Sequence, residues 1–549
     1  MDRSARLRQV AWVVMLMTLT TSGCTSMGDY LRNGFKVGPN AAVPQGATAE
    51  RWIDESDVRL REDPVDLERW WTIFRDPTLD QLIASATRQN LTLREACYRV
   101  LQSRAELGIA QGNIFPQKQE MFGAYRRVGG SQVTNDYWAG FGNQFFDQWN
   151  LGFNLTWEMD LWGRLRRAVA SAEDTLEASV ANYDDVLVTL LGDVATNYVQ
   201  VRTLQERMDL VRSNVELQSR ILVIADRRYH AGRKNALDSH QARSNLAQTE
   251  AQIPQLRIEL RQACNRLCVL LGMPPADLER QIGPGPIPTA PTSVAIGIPA
   301  DLLRRRPDVR RAERQAASQG QQIGIAEADL YPMFAINGSL GYQASNFSQL
   351  VTSPALNSMV GPQFQWNILN YGRIRNNVRA QDAKFQAMVA VYQNTVLKAN
   401  AEVENGLAAF LHAQERTKLL NESVDSAQKA VDIVFKEYRV GTVDFNRVAL
   451  IEQNLVQQQD LQAQSHGEIA QGLIRVYRAL GGGWQLGPDP ATVAPLPPTR
   501  NPNEVVPTPP PDGLNAPAEP AATYQRRKLP MPEDASHVRT GSSAMVAPN

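Results

Sequence analysis

The sequence predicts a mainly α-helical chain that also carries four β-strands of membrane-crossing length, with one structural plan used twice. Three observations carry that expectation: an internal repeat, two very long segments without proline, and strand candidates in which apolar and polar residues alternate.

The repeat has an offset of about 209 residues, far beyond the periods of solenoids. Trp157-Glu-Met-Asp-Leu-Trp162-Gly163-Arg164-Leu165-Arg166 returns as Trp366-Asn-Ile-Leu-Asn-Tyr371-Gly372-Arg373-Ile374-Arg375. Tyr229-His-Ala-Gly232 returns as Tyr438-Arg-Val-Gly441, Asn245-Leu246 as Asn454-Leu455, and Leu271-Gly272 as Leu480-Gly481. Upstream, Gly108 to Pro116 returns as Gly324 to Pro332, displaced by about seven further residues, so a loop between these landmarks differs in length. In each copy a helix should end at the proline, which lacks an N–H and biases its predecessor to extended backbone. Two strands follow around a polar loop. Gly163 or Gly372 then opens the long proline-free segment, 163–253 in the first copy and 372–487 in the second.

The strand pattern is cleanest after Trp149. Leu151, Phe153, Leu155, Trp157, Met159 and Leu161 share one face, and Asn150, Gly152, Asn154, Thr156, Glu158 and Asp160 the other. In the second copy Phe334, Ile336, Leu340 and Tyr342 alternate with Ala335, Asn337, Ser339 and Gly341, and Phe364, Trp366 and Ile368 with Gln363, Gln365 and Asn367. The less regular 121–128 stretch is read as a strand from its repeat partner. Strands of roughly 9–11 residues suit a tilted crossing of a bilayer. Four strands do not close a barrel, for which about eight are needed. An open sheet in lipid would leave edge groups costing several kcal/mol each. Copies of the chain must therefore share one barrel, of about eight strands from two copies or about twelve from three. Both remain open at this point.

The segment from Gly163 to Ala231 is about 69 residues, on the order of 100 Å of helix, which suits a periplasm-sized gap rather than a membrane. Leu187, Leu190, Leu191 and Val194 among charged and Gln residues give it a coiled-coil pattern. A soluble coiled-coil scaffold would share that pattern but not the strands or the duplication.

Export is written at the N-terminus. Arg3, Arg6 and Arg8 precede an apolar run, Val10 to Leu19, too short to span a bilayer. Thr21-Ser22-Gly23 before Cys24 resembles a bacterial lipobox, although Thr21 stands where that pattern prefers Leu. The resemblance implies cleavage after residue 23 and a covalent lipid, palmitate included, on Cys24. Thr25 implies sorting to the outer membrane. Cys97, Cys264 and Cys268 make no disulfide framework. Cys264 and Cys268 share a helix face, yet no His or Cys cluster lies nearby in sequence, and they are read as core thiols rather than as a metal site. With 57 basic and 57 acidic residues the chain has no net charge and no basic footprint for nucleic acid.

Two further stretches are specific. Trp70-Trp71-Thr-Ile-Phe74-Arg-Asp76-Pro77-Thr-Leu79 is similar to a WWxxFxDPxL signature, and Ile298-Pro299-Ala-Asp301-Leu302-Leu303-Arg304-Arg305-Arg306-Pro307-Asp308-Val309-Arg310 to an LPSDLLRRRPDI signature. Taken alone, the second reads only as a helix start with Asp301 near its first turn and a solvated basic turn. Both belong to the TolC-like outer-membrane efflux proteins, in the lipoprotein branch that partners resistance-nodulation-division pumps, which the chain resembles from about Trp70 to Trp484. The resemblance implies a homotrimer in the bacterial outer membrane, with a shared twelve-stranded barrel above a twelve-helix coiled-coil tunnel that extends into the periplasm and tapers. It implies passive conduction of drugs and other toxic small molecules, and a part in multidrug resistance. These would arrive from an inner-membrane resistance-nodulation-division transporter through a periplasmic membrane-fusion adaptor. No catalysis is implied, and no cofactor beyond the lipid.

The resemblance also assigns the tapered end to the glycine-bearing turns, with adaptor hairpins docking around Gly232, Gly441, Thr442 and Phe445. Glycine suits a reversal that needs positive φ. Tyr438, three residues before its glycine, and Asp238, six after its own, match positions whose inter-helix polar links hold the family's aperture closed. Val443 replaces a basic residue of the family, and Leu450 an expected Asp. Asp444 and Glu452 are then the nearest carboxylates for an acidic ring, in which converging carboxylates attract cations and raise one another's pKa. A solvated helix surface is the plain alternative for Glu452.

The expected organisation is a signal peptide (1–23), an N-terminal periplasmic anchor segment (24–77), a first repeat (78–282), a linker (283–299), a second repeat (300–487) and a Pro-rich disordered tail (488–549). An exit duct for type I protein secretion is the alternative on the same fold. The lipid anchor and the arginine signature favour efflux over it, and drug sensitivity against secreted protein in a deletion strain separates the two. The five histidines, His230, His240, His412, His466 and His537, form no triad or ligand spacing, which argues against an enzyme.

Overall fold

The computed structural model describes residues 26–40, 42–44, 46–49, 51–61, 67–129, 145–232, 235–295 and 304–487. The export segment with Cys24, the start of the arginine signature including Asp301, and the tail all lie outside these residues. In chain order the elements are α1 (Met27–Arg32), β1 (Leu60–Arg61), α2 (Pro77–Gln89), α3 (Leu91–Gly112), β2 (Lys118–Gly129), β3 (Phe145–Met159), α4 (Arg164–His230), α5 (Ala236–Glu250), α6 (Gln252–Leu270), α7 (Leu278–Ile282), β4 (Val294–Ala295), α8 (Pro307–Ala328), β5 (Met333–Ala344), β6 (Leu356–Gln365), α9 (Arg373–Val440) and α10 (Phe445–Ala479).

The duplication is visible in this order. Each copy runs helix, strand pair, long helix, returning helix. Helices α3 and α8 stop about one turn short of Pro116 and Pro332, as a residue without an N–H requires. Trp157 Nε1 donates to Ile114 O (3.1 Å) in the first copy and Trp366 Nε1 to Leu330 O (3.0 Å) in the second, so the repeated tryptophan ties the same turn twice. Gly163 (φ +78°) and Gly372 (φ +81°) both take the left-handed conformation that turns the chain into its long helix. Those helices hold 67 and 68 residues, each on the order of 100 Å. The returns differ. α10 is continuous over 35 residues, whereas the first copy breaks at Ala251, because Pro254 has no N–H and crowds the carbonyl of Glu250.

Strands β2, β3, β5 and β6 form one antiparallel sheet in the order β2-β3-β5-β6. The register aligns the apolar sets across it. Met121 faces Phe153 and Phe153 faces Leu340, Leu151 faces Tyr342, and Trp157 faces Ile336. Asn154, Thr156, Asn337, Ser339 and Gln363 take the other face, since side chains alternate along each strand. The 121–128 expectation holds and extends to 118–129. The second-copy strand is shorter than expected. It ends at Gln365, paired with Met333, the first residue of β5, so Trp366 and Ile368 lie beyond it. An edge strand has one neighbour in the chain, and where that neighbour ends its ladder ends.

The anchor segment is a strap. Tyr30 packs on Trp162 (5.8 Å), Arg166 donates to Gly34 O and Phe35 O (both 2.7 Å), and Arg167 to Val37 O (2.7 Å) and Gly38 O (2.8 Å). Further on, Arg59 reaches Leu411 O (3.0 Å) and Glu415 (2.9 Å), and β1 pairs in parallel with β4. The 283–299 linker is therefore partly a strand partner of the strap rather than a free connection.

Both signatures have a packing role. Trp70, Trp71 and Phe74 are buried, Trp70 stacking on Tyr477 at 5.5 Å. Asp76 caps α2 by accepting from Thr78 N (2.9 Å), and its other oxygen accepts from Tyr198 OH at 2.6 Å. Burial, then that bond, pushes the Tyr198 phenol up to about 12. The arginine run is solvated only in part: Arg304 and Arg305 are exposed, but Arg306 is not. Arg306 is 6% exposed, donates to Asp308 (3.0 and 2.7 Å) and Glu402 (2.7 Å), and bonds the Ala479 carbonyl at the end of α10. Arg310 binds Asp184 (2.5 Å) and lies 4.6 Å over the Trp484 ring, and Arg311 binds Asp185 (2.8 Å). Arg304 and Arg305 are helical, Arg306 breaks the helix, and α8 starts at Pro307 with Asp308 in its first turn.

Candidate functional site: the glycine-turned helix tips

Each long helix reverses at its glycine. Gly441 (φ +95°) donates its N–H to Glu437 O (2.9 Å) and Tyr438 O (3.0 Å), and Thr442 donates both N–H (3.1 Å) and Oγ1 (3.0 Å) to the same Glu437 carbonyl. This pair of crossed bonds satisfies the last carbonyls of α9 and needs a left-handed residue between them. Gly232 (φ +67°) repeats the reversal, donating to Tyr229 O at 2.9 Å. A Cβ at either glycine would meet no neighbour, so the backbone angle and not crowding requires glycine. Gly232, Gly441 and Thr442 stand exposed, where a docking partner would meet them. Arg233 and Lys234 lie outside the described residues.

Phe445 is not on that surface. It is 1% exposed and meets Tyr438 edge-on at 5.7 Å beneath the turn, so it is a core residue and the adaptor-contact expectation for it is corrected. The exposed apolar residues of the tips are instead Tyr229, Leu237, Val440 and Leu450. They sit on the helix faces opposite the core, and only the position of the bundle axis distinguishes them from Phe445.

Below the turns four helices share one apolar core: Ile221 and Ala225 from α4, Ala242 from α5, Val434 and Tyr438 from α9, and Phe445, Val448 and Ala449 from α10. Polar links then tie the two hairpins together. Arg228 lies 4.5 Å over the Tyr438 ring and donates to Arg439 O (2.7 Å); Gln241 reaches Asn446 (3.2 Å), Gln453 reaches Asn245 (3.3 Å), and Arg207 pairs with Asp460 (2.6 Å).

The four aperture candidates fall into three environments. Tyr438 is fully buried in the core just described. Asp238 lies half-buried in the first turn of α5, its Oδ2 enclosed with no hydrogen-bond partner among the described residues. Asp444 stands exposed at the N-cap of α10. Glu452 is 2% exposed, one turn past Val448 and Ala449 and one turn before Leu455. The solvated-surface alternative for Glu452 fails. An acidic ring needs carboxylates at a surface, and of these two only Asp444 is exposed.

A long helical hairpin pair carrying a four-stranded sheet at one end is also the design of known proteins. The outer membrane efflux protein family matches residues 82–273 and 298–482. The chain belongs to that family. The pyoverdine export outer membrane protein OpmQ of Pseudomonas aeruginosa is 29% identical over 432 residues, covering 77% of this chain and 89% of the relative. The solvent efflux pump outer membrane protein SrpC of Pseudomonas putida is 28% identical over 475 residues, covering 86% and 98%. Among solved structures, the outer-membrane channel OprN superposes with a TM-score of 0.77 at 32% identity, covering 82% of this chain and 99% of that one. The family match includes both strand pairs and both glycine turns, so the site lies inside the shared architecture. An outer-membrane efflux role is the function this family carries.

Proposed function

We propose that three copies of the chain form the outer-membrane duct of a tripartite efflux system. Three four-stranded sheets close a twelve-stranded barrel, and four helical staves from each copy, α4, α5 with α6, α9 and α10, continue it as a twelve-helix periplasmic tunnel. One observation supports this most: among the described residues β2 and β6 are both edges of a sheet with one apolar face, and such a sheet satisfies its backbone in lipid only by joining other copies. Three copies rather than two leave a conduit, lined by the polar face with Asn154, Thr156, Asn337 and Gln363. Small toxic molecules pass through it passively, handed over by an inner-membrane resistance-nodulation-division pump and a periplasmic adaptor that grips the tips at Gly232, Gly441 and Thr442. No catalytic step belongs to the chain.

The purified protein should run as a trimer in detergent and conduct in a planar bilayer. A monomer without conductance would remove the duct. A covalent lipid on Cys24 ties the strap to the membrane beside the barrel. Labelled palmitate should enter the wild-type protein and be absent from Cys24→Ser, while an unlabelled wild type would remove the anchor.

A further inference from the structure

Glu452 is a carboxyl with no surface and an incomplete set of partners. It is 2% exposed, and its Oε1 is enclosed with no hydrogen-bond partner among the described residues. The residues at its level are apolar or uncharged: Leu217 and Ile221 from α4, Ala242 from α5, and Ala427, Val431 and Val434 from α9. The charged residues of the same helices at that level are engaged elsewhere. Arg220 donates to Glu216 O (3.3 Å), Asp226 accepts from Ser239 and lies 3.9 Å from Arg243, Lys429 pairs with Asp425 (2.6 Å), and Asp432 accepts from Gln428 (3.3 Å). None of them acts on Glu452, whose carboxyl is raised by burial alone, to about 7. Its repeat partner, one about 209 residues earlier, is the exposed Arg243, so the group is not a requirement of the hairpin design.

We propose that Glu452 is a proton-operated latch of the helix tips: protonated, it lets α10 pack in the four-helix core, and ionised, it draws water in and loosens α10 from its neighbours. A bare carboxylate in an apolar interior is costly, and its cheapest relief is hydration through local opening. The sense of the pH effect follows from linkage. A solvated glutamate loses its proton near the ordinary 4.5, while the packed one keeps it to about 7. Between those values the packed tip binds one proton more than the opened tip, so packing weakens as pH rises through that window and levels off above it. From pH 6 to pH 8 the opening equilibrium of each protomer should rise about ten-fold, a pKa unit being ten-fold in the equilibrium. The consequence for permeation rests on the tips being the aperture of the duct; the latch itself does not.

Amide hydrogen exchange of the full-length protein reads the latch directly, expressed as protection factors so that the intrinsic pH dependence of exchange cancels. Wild-type protection over 445–455 should fall about ten-fold from pH 6 to pH 8, with 185–205 of α4 unchanged. Glu452→Gln and Glu452→Leu, both uncharged, should keep their pH 6 protection at pH 8. Equal wild-type protection at the two pH values, or the same fall in both variants, overturns the proposal. Bilayer conductance recorded alongside should rise with pH in the wild type only. An exchange signature without any conductance counts against the duct and leaves the latch standing.

Discussion

Tyr438→Ala should open the helix tips: single-channel conductance in a planar bilayer rises several-fold, and the tip segments lose protection from proteolysis. Tyr438 is at the centre of the core that α4, α5, α9 and α10 share, fully buried, edge-on to Phe445 and beneath the Arg228 guanidinium. Removing a buried aromatic ring costs about 3–5 kcal/mol through lost transfer and the cavity left behind. Arg228 also loses the ring face that stabilises its charge, worth about 1–2 kcal/mol where desolvated. Four helices meet here, three residues before the Gly441 turn, so the loss falls on the helix tip. Tyr438→Phe keeps the ring and should conduct close to wild type. An Ala variant with unchanged conductance would show that the tips do not limit the pore.

Arg306→Leu should lower the melting temperature by a few degrees, since in a chain of this length each kcal/mol is worth about one to two degrees. The guanidinium is 6% exposed and joins Asp308, Glu402 and the Ala479 carbonyl, tying α8 to α9 and to the end of α10. Deleting the guanidinium leaves the half-buried Asp308 and the Ala479 carbonyl without their partner, at about 1–3 kcal/mol each, while Glu402, 59% exposed, is simply resolvated. Arg99→Leu supplies the contrast. Its pair with Glu95 is exposed on both sides (63% and 60%), where such pairs are worth about 0–1 kcal/mol, so that variant should melt like the wild type. Similar losses at the two sites would show that burial is not what makes Arg306 matter. Detergent-solubilised melts and gel filtration read both.

What was legible in the sequence was local. The period of two in β3 and the absence of proline from 163–253 each state a backbone preference without reference to a partner, and both elements came out at nearly their predicted lengths. What was missed depends on residues far away in the chain. Phe445 and Glu452 sit in a helix whose surface is apolar in several directions, and only the meeting of two hairpins decides which direction is inside. The end of β6 is set by the first residue of β5. The packing of Arg306 and Arg310 was not legible because their counter-charges, Glu402 and Asp184, lie about a hundred residues to either side. The strap over 26–61 has no periodicity to read, being held by backbone carbonyls that any sequence would supply.

The single proline at 254 gives the two halves of this duplicated chain different mechanics. A continuous α10 transmits an axial push along its whole length, whereas the α5–α6 return has a joint at Ala251 that bends before it transmits. In the proposed three-copy duct these chains would make a rim of alternating rigid and jointed rods, nominally six-fold by sequence but three-fold in compliance. A partner pressing evenly on that rim would move every second rod further, and the mouth would widen as a triangle rather than as a circle.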